Sequence, residues 1–250
     1  MGKYQPSSEY ITEQVSLLDL AISDYDRKAT EYYAATENFK KQEEGLSGDA
    51  LKDFRVERDK KLQRIKQHLD HQRMSAEAMA QVQGDLDEYR RRGREATQGS
   101  RKEVAAKQAL LLDEGHHRDN LELLEEFMRA SRRPRPSSRH TAHHIVPGKG
   151  KSKPVPPGRR STANMARVRM HMYGVRINDP DNGVWLPTFK ADTPTYAMPK
   201  SKGHLEYHTI NYEDWVYRKL RLKTSEQTIR QELQQIGNML QNNTIPKEAR

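Results

Sequence analysis

The chain has 250 residues, no cysteine, 32% charged residues and a formal net charge of +9, with a mean hydropathy of −1.06. That length suits one or two domains, either able to bury a core. Disulfides, thiolate zinc sites and cysteine nucleophiles are excluded, no apolar run approaches the roughly 18–20 residues that cross a bilayer, and Met1-Gly2-Lys3-Tyr4-Gln5-Pro6 lacks the apolar region of a secretory signal.

Residues 8–43 read as a long helix with Ser7 and Ser8 as N-caps. Ile11, Val15, Leu18, Ile22, Tyr25, Ala29 and Tyr32 alternate spacings of four and three, with Phe39 one heptad on, which is a narrow coiled-coil seam. Gly45 and Gly48 break the pattern at a helix–helix turn. A second long helix carries Leu51, Phe54, Leu62, Ile65, Leu69, Ala76, Met79, Val82, Leu86 and Tyr89 on its apolar face. An antiparallel hairpin buries both seams most economically. Arg90-Arg91-Arg92-Gly93-Arg94 closes that helix, its cations offsetting the helix dipole. A third helix covers roughly 102–130, interrupted at Gly115-His116-His117, a histidine pair in an acidic helical context that reads as surface.

Residues 131–141, with Arg132, Arg133, Pro134, Arg135 and Pro136, form a basic linker and mark the domain boundary. The expected division is therefore a helical delivery or docking domain over 1–130, the linker, and a second domain over 142–250. Charge divides the same way. Residues 1–130 hold 22 Lys+Arg against 26 Asp+Glu, a net of −4, and residues 131–250 hold 22 against 9, a net of +13. A domain this basic suits a polyanionic partner, nucleic acid above all, or an acidic protein that neutralises it.

Within the basic half, Ala142-His143-His144-Ile145-Val146-Pro147 predicts a short strand around Ile145 and Val146, ended by Pro147. Adjacent residues of a strand face opposite ways, so the two imidazoles diverge unless the strand is distorted. Residues 148–160 are a low-complexity basic loop. Lys149, Lys151, Lys153, Arg159 and Arg160 there suit tracking of phosphates along a substrate. A short helix from Thr162 to Tyr173, with Ala163, Ala166 and Met170 on one face, stops at Gly174. The turn-rich Asn178-Asp179-Pro180-Asp181-Asn182-Gly183 leads into a second strand at Val184–Pro187. A long mobile segment, 188–203, reaches a helix holding His204 and His208. At i and i+4 both imidazoles project from one face, at a separation suited to a shared metal. Tyr212, Trp215, Val216 and Leu220 stripe the next helix. Thr224-Ser225-Glu226-Gln227 reads as a capping box opening a last helix with Ile229, Leu233, Ile236 and Leu240 on one face.

In this order, Ala-His-His, Asp181-Asn182-Gly183 and His204-x-x-x-His208 resemble the HNH nuclease superfamily with its ββα-metal core. The resemblance is greatest to the AHH branch, a common C-terminal toxin domain of bacterial secreted effectors, and spans roughly residues 137–222. It implies a predominantly helical α+β chain: a long hairpin and third helix, then a small ββα-metal nuclease domain with C-terminal helices. It also implies one divalent ion (Mg, Mn, Ni or Zn) on His143, His204 and His208, with His144 as general base. Asn182 would pin the loop opposite the histidine strand and help orient that base. Spacing does not separate the roles of His143 and His144, and His140 and His171 are further imidazoles in the same domain. A ligating His171 would displace His204 or His208 from the set.

The N-terminal part resembles WXG/LXG-like helical hairpins at the head of bacterial secretion substrates, with Leu46-Ser47-Gly48 at the turn but without the tryptophan of the usual signature. Together the resemblances imply a secreted antibacterial endonuclease. It would be made in the bacterial cytoplasm without a cleavable signal, exported by a specialised apparatus or adaptor engaging residues 1–130, and active on DNA in the target-cell cytoplasm. An acidic immunity protein would restrain it, and no membrane partner is expected. A ribonuclease with the same site, a structural zinc domain and a non-catalytic nucleic-acid-binding or packaging protein are the alternatives.

Overall fold

The structure is a computed structural model and describes residues 17–113, 118–148 and 161–249. The chain divides into two compact units, Met1–Gln81 and Val82–Arg250.

In the first unit, α1 (Leu17–Glu43) turns through residues 44–47 into α2 (Gly48–Glu95). The helices run antiparallel: Phe39 meets Phe54 edge-on with centroids 6.1 Å apart, Glu43 pairs with Arg55 and Arg58, and Gln72 Nε2 donates to Asp24. Leu18, Tyr25, Ala29, Tyr32 and Phe39 are half-buried, as are Leu51, Phe54, Leu62 and Ile65 across from them, and Leu69 is buried. Ile22, expected in the seam, is 44% exposed, because two helices alone cannot enclose a seam from every side. Ser7, Ser8, Ile11 and Val15 lie outside the described residues.

The second unit takes the end of α2 from Val82, then α3 (Arg101–Asp113) and α4 (Arg118–Ala130). Strand β1 (His140–His144), α5 (Thr162–His171), β2 (Gly183–Pro187), α6 (Ile210–Leu220) and α7 (Glu226–Gln241) follow. Gly115 and the histidine pair His116-His117 lie outside the described residues. The two strands form an antiparallel sheet in which His140 faces Pro187, Ala142 faces Trp185, His143 faces Val184 and His144 faces Gly183. The first strand lies two residues earlier than its apolar residues suggested. Ile145 and Val146 leave the ladder and are buried in the core instead, which hydrophobicity alone does not distinguish from pairing.

Each face of the sheet meets its own apolar layer. Val184 and Leu186 join Ile145, Val146, Tyr212, Trp215, Ile229, Leu233, Ile236 and Leu240. Ala142 and Trp185 join Leu124, Met128 and Met198. All of β2 is buried, as a central layer should be. Helix α4 approaches so closely that a Cβ on Gly183 would lie 2.6 Å from Met128 Sδ and 2.9 Å from Leu124 Cδ1. The compact units divide at 81/82, and within the second Leu124, Phe127 and Met128 bury their side chains against the sheet and the end of α2.

Three further details differ from expectation. Residues 188–203 are not wholly irregular: a 3-10 turn occupies Lys190–Asp192 and Met198 is buried beside Trp185. The N-cap of α7 is Ser225, whose reciprocal partner is Thr228, one residue beyond the Gln227 the capping box predicted. Arg90 does not merely offset a dipole; it binds Asp179.

Candidate active site

Strand alternation holds at the histidine pair. His143 turns inward and is only 5% exposed, with its ring 5.2 Å from that of His208, 6.3 Å from His204 and 6.1 Å from Tyr212. His144, half-buried, turns the other way and places Nε2 2.8 Å from Asn178 Oδ1.

His204 and His208 do not sit on an α-helix. His204–Tyr207 is a 3-10 turn, and His208 follows it with φ −80° and ψ 68°. The chain must leave helical geometry there, because Thr209 N-caps α6 by accepting from Tyr212 N. The rings still meet, centroids 5.5 Å apart. A 3-10 turn plus one non-helical residue therefore brings the two rings together, as one α-turn was expected to do.

The three imidazoles are chemically suited to a cation. His143 is held well below the ordinary imidazole pKa, first by burial and then by the neighbouring His208, His204 and His144. His204 is lowered by burial too, against hydrogen bonds to Thr188 and Pro187. Both are neutral donors at physiological pH. His204 Nδ1 lies 2.7 Å from the Thr188 carbonyl, which can only accept, so Nδ1 carries the proton and the lone pair is on Nε2. His143 Nε2 is buried with no hydrogen-bond partner among the described residues. A buried polar atom in that state is one a ligand would satisfy. The rings converge without having closed: among the described residues, no group of three or more His, Asp or Glu is arranged to hold a metal ion as it stands. The 6.3 Å between His143 and His204 is the longest side of the triangle.

Asn182 is fully buried and spends its amide on the backbone. Its Oδ1 accepts from Val146 N at 2.8 Å, and its Nδ2 donates to Val146 O at 3.2 Å and Ile177 O at 2.8 Å. It fastens the residues after β1, and its amide bonds backbone rather than His144. The residue that touches His144 is Asn178, which the sequence reading passed over; the same turn holds two asparagines, and nothing local ranks them. With Oδ1 accepting, His144 Nε2 carries the proton and Nδ1 presents the lone pair.

A buried ion network steadies this turn. Arg230 Nη1 donates to Asp179 Oδ1 and Asp181 Oδ2 at 2.8 and 2.7 Å, Arg133 and Gln234 reach Asp181, and Arg90 reaches both carboxylates. Burial alone would raise the Asp179 pKa; Arg230 and Arg90 outweigh it and hold the carboxyl below its ordinary value. His140 and His171 are both buried. His140 bonds Ser137, and His171 lies on α5 with Arg167 and Arg176 as its charged neighbours. Lys149, Lys151, Lys153, Arg159 and Arg160 lie outside the described residues.

A short antiparallel pair presenting adjacent histidines is braced by an asparagine turn and met by a second histidine-bearing turn. Residues 124–243 match AHH, a nuclease family of the HNH/ENDO VII superfamily with conserved AHH, and this part of the chain is an AHH nuclease domain. No curated protein and no solved structure matches the chain.

Proposed function

We propose that the protein is a metal-dependent endonuclease, acting on DNA first, in which His143, His204 and His208 hold one divalent ion (Mg, Mn, Ni or Zn) and His144 is the general base. The observation that supports this most is the meeting of three imidazoles, one with a buried and unpartnered Nε2, beside a fourth whose tautomer is set by Asn178. When bound, the ion supplies a positive charge against the scissile phosphate and lowers the pKa of water. His144 Nδ1 takes the proton as the water oxygen attacks phosphorus, the P–O bond to the sugar breaks, and the leaving oxygen takes a proton from solvent. Asn178 keeps the proton on Nε2, and Asn182 keeps the backbone after β1 from moving away. Lys149, Lys151, Lys153, Arg159 and Arg160 contribute charge along the substrate backbone.

The wider reading is a secreted antibacterial toxin. The first unit, a helical hairpin, serves delivery through a secretion apparatus, adaptor or chaperone. An acidic immunity protein covers the domain, whose segment 131–250 carries a net +13, because electrostatic complementarity speeds encounter. Purified full-length protein incubated with plasmid DNA and with matched RNA tests this. DNA degraded in added Mg, Mn, Ni or Zn but intact in EDTA is the expected result. Cleavage of RNA alone would move the substrate to RNA, and retarded but intact nucleic acid in every lane would leave a binding protein.

A further inference from the structure

The segment that matches the AHH family begins at residue 124, yet the residue that orients His144 is held by a helix that ends before it. Asn178 is fully buried, so its backbone N–H must find an acceptor, and that acceptor is the Tyr89 hydroxyl of α2 at 2.9 Å. The same helical turns grip the neighbouring residues. Arg90 reaches Asp179 through Nε at 3.2 Å and Nη2 at 3.3 Å. Arg176 stacks its guanidinium 3.7 Å from the centre of the Tyr89 ring and donates to the Tyr89 carbonyl at 3.3 Å. Gly93 lies so close to the segment leading from α5 into the turn that a Cβ there would sit 2.2 Å from the Gly174 carbonyl oxygen. Phe127 backs the Tyr89 ring, centroids 5.1 Å apart.

We propose that Tyr89, outside the family-matched segment, is a positioning residue for phosphodiester cleavage, acting through Asn178 on His144. This rests on the nuclease reading above. The hydroxyl fixes the peptide plane of Asn178, the peptide plane fixes where Oδ1 points, and Oδ1 fixes which His144 nitrogen holds the proton. Displacement of the order of 1 Å in such a chain is enough to cost about a hundredfold in rate.

The test uses the full-length protein with Tyr89→Phe, Asn178→Ala and the double substitution, measuring kcat and KM for metal-dependent cleavage. Tyr89→Phe keeps the ring, its Arg176 stack and its Phe127 contact. It is expected to lower kcat by about tenfold to a hundredfold, the range for residues that orient a functional side chain, with KM unchanged. Asn178→Ala should cost at least as much, and the double variant no more than Asn178→Ala alone. A Tyr89→Phe kcat within about twofold of the parent, or losses that multiply in the double variant, would overturn the proposal. If Tyr89→Phe does not fold, Gly93→Ala interrogates the same grip: lower kcat at constant KM supports it, parental kcat refutes it. Nitrogen NMR of the His144 ring decides independently of turnover. A single Nε2–H tautomer in the parent and a mixture in the variant supports the proposal, and identical spectra refute it. A parent that cuts nothing would sink the nuclease reading, while the NMR comparison would still rule on Tyr89.

Discussion

His171 offers a quantitative check on the packing of the nuclease unit. It is fully buried, neither ring nitrogen has a hydrogen-bond partner among the described residues, and Arg167 and Arg176 are near. Burial first, then those two cations, push its pKa from 6.5 to about 3. The unfolded chain takes up the proton at pH values where the folded chain refuses it. Stability from this group is therefore complete above the unfolded value of 6.5 and is lost as pH falls toward about 3. One pKa unit is worth about 1.4 kcal/mol, so the full swing is on the order of 5 kcal/mol, of which roughly 2 kcal/mol falls between pH 7 and pH 5. In His171→Leu that component disappears. Both tryptophans, Trp185 and Trp215, are buried in this unit, so their fluorescence follows its unfolding. Urea titrations of parent and variant at the two pH values, in EDTA, should show the parent losing about 2 kcal/mol more than the variant. At a slope of about 2 kcal/mol per molar urea, that is a difference of about 1 M in midpoint shift. Parallel shifts in the two proteins would refute the reasoning.

Two other substitutions probe the brace behind the site. Arg230→Met leaves Asp179 and Asp181, 1% and 7% exposed, short of their central partner, and should cost about 3–5 kcal/mol by urea denaturation; a loss below about 1 kcal/mol would show that Arg90 and Arg133 suffice. Because the Asp179 carboxyl is held below 3.8, that network is intact above this value and fails as pH drops beneath it, so the parent's remaining acid sensitivity belongs there. Asn182→Ala strips the partners from Val146 N–H, Val146 C=O and Ile177 C=O, at roughly 3 kcal/mol in total, with loss of plasmid cleavage. A parental Tm measured by circular dichroism would contradict that bond set.

Much of this was legible from the chain. The apolar faces of α6 and α7, at Tyr212, Trp215, Val216 and Leu220 and at Ile229, Leu233, Ile236 and Leu240, are buried as their periodicity requires. The rings of His143, His204 and His208 lie 5.2–6.3 Å apart, centroid to centroid, and Asn182 bonds the backbone at Val146 and Ile177. What periodicity could not show was whether the three residues between His204 and His208 form an α-turn or a 3-10 turn, since either brings the rings together. Nor could it place Tyr89 or Arg90. Their partners lie 89 residues away along the chain, and the apolar stripe of α2 reads the same whether it packs on a hairpin partner or on a turn. Asn178 was hidden for a simpler reason: it shares its turn with Asn182, and burial of both amides is a tertiary fact.

The most direct measurement is anomalous scattering from crystals soaked with Mn²⁺ or Zn²⁺. A single ion should appear within about 2.0–2.2 Å of one nitrogen each from His143, His204 and His208, with His144 nearby and still bonded to Asn178. An ion bound elsewhere, or these three rings left without one at a concentration that supports cleavage, would contradict the account.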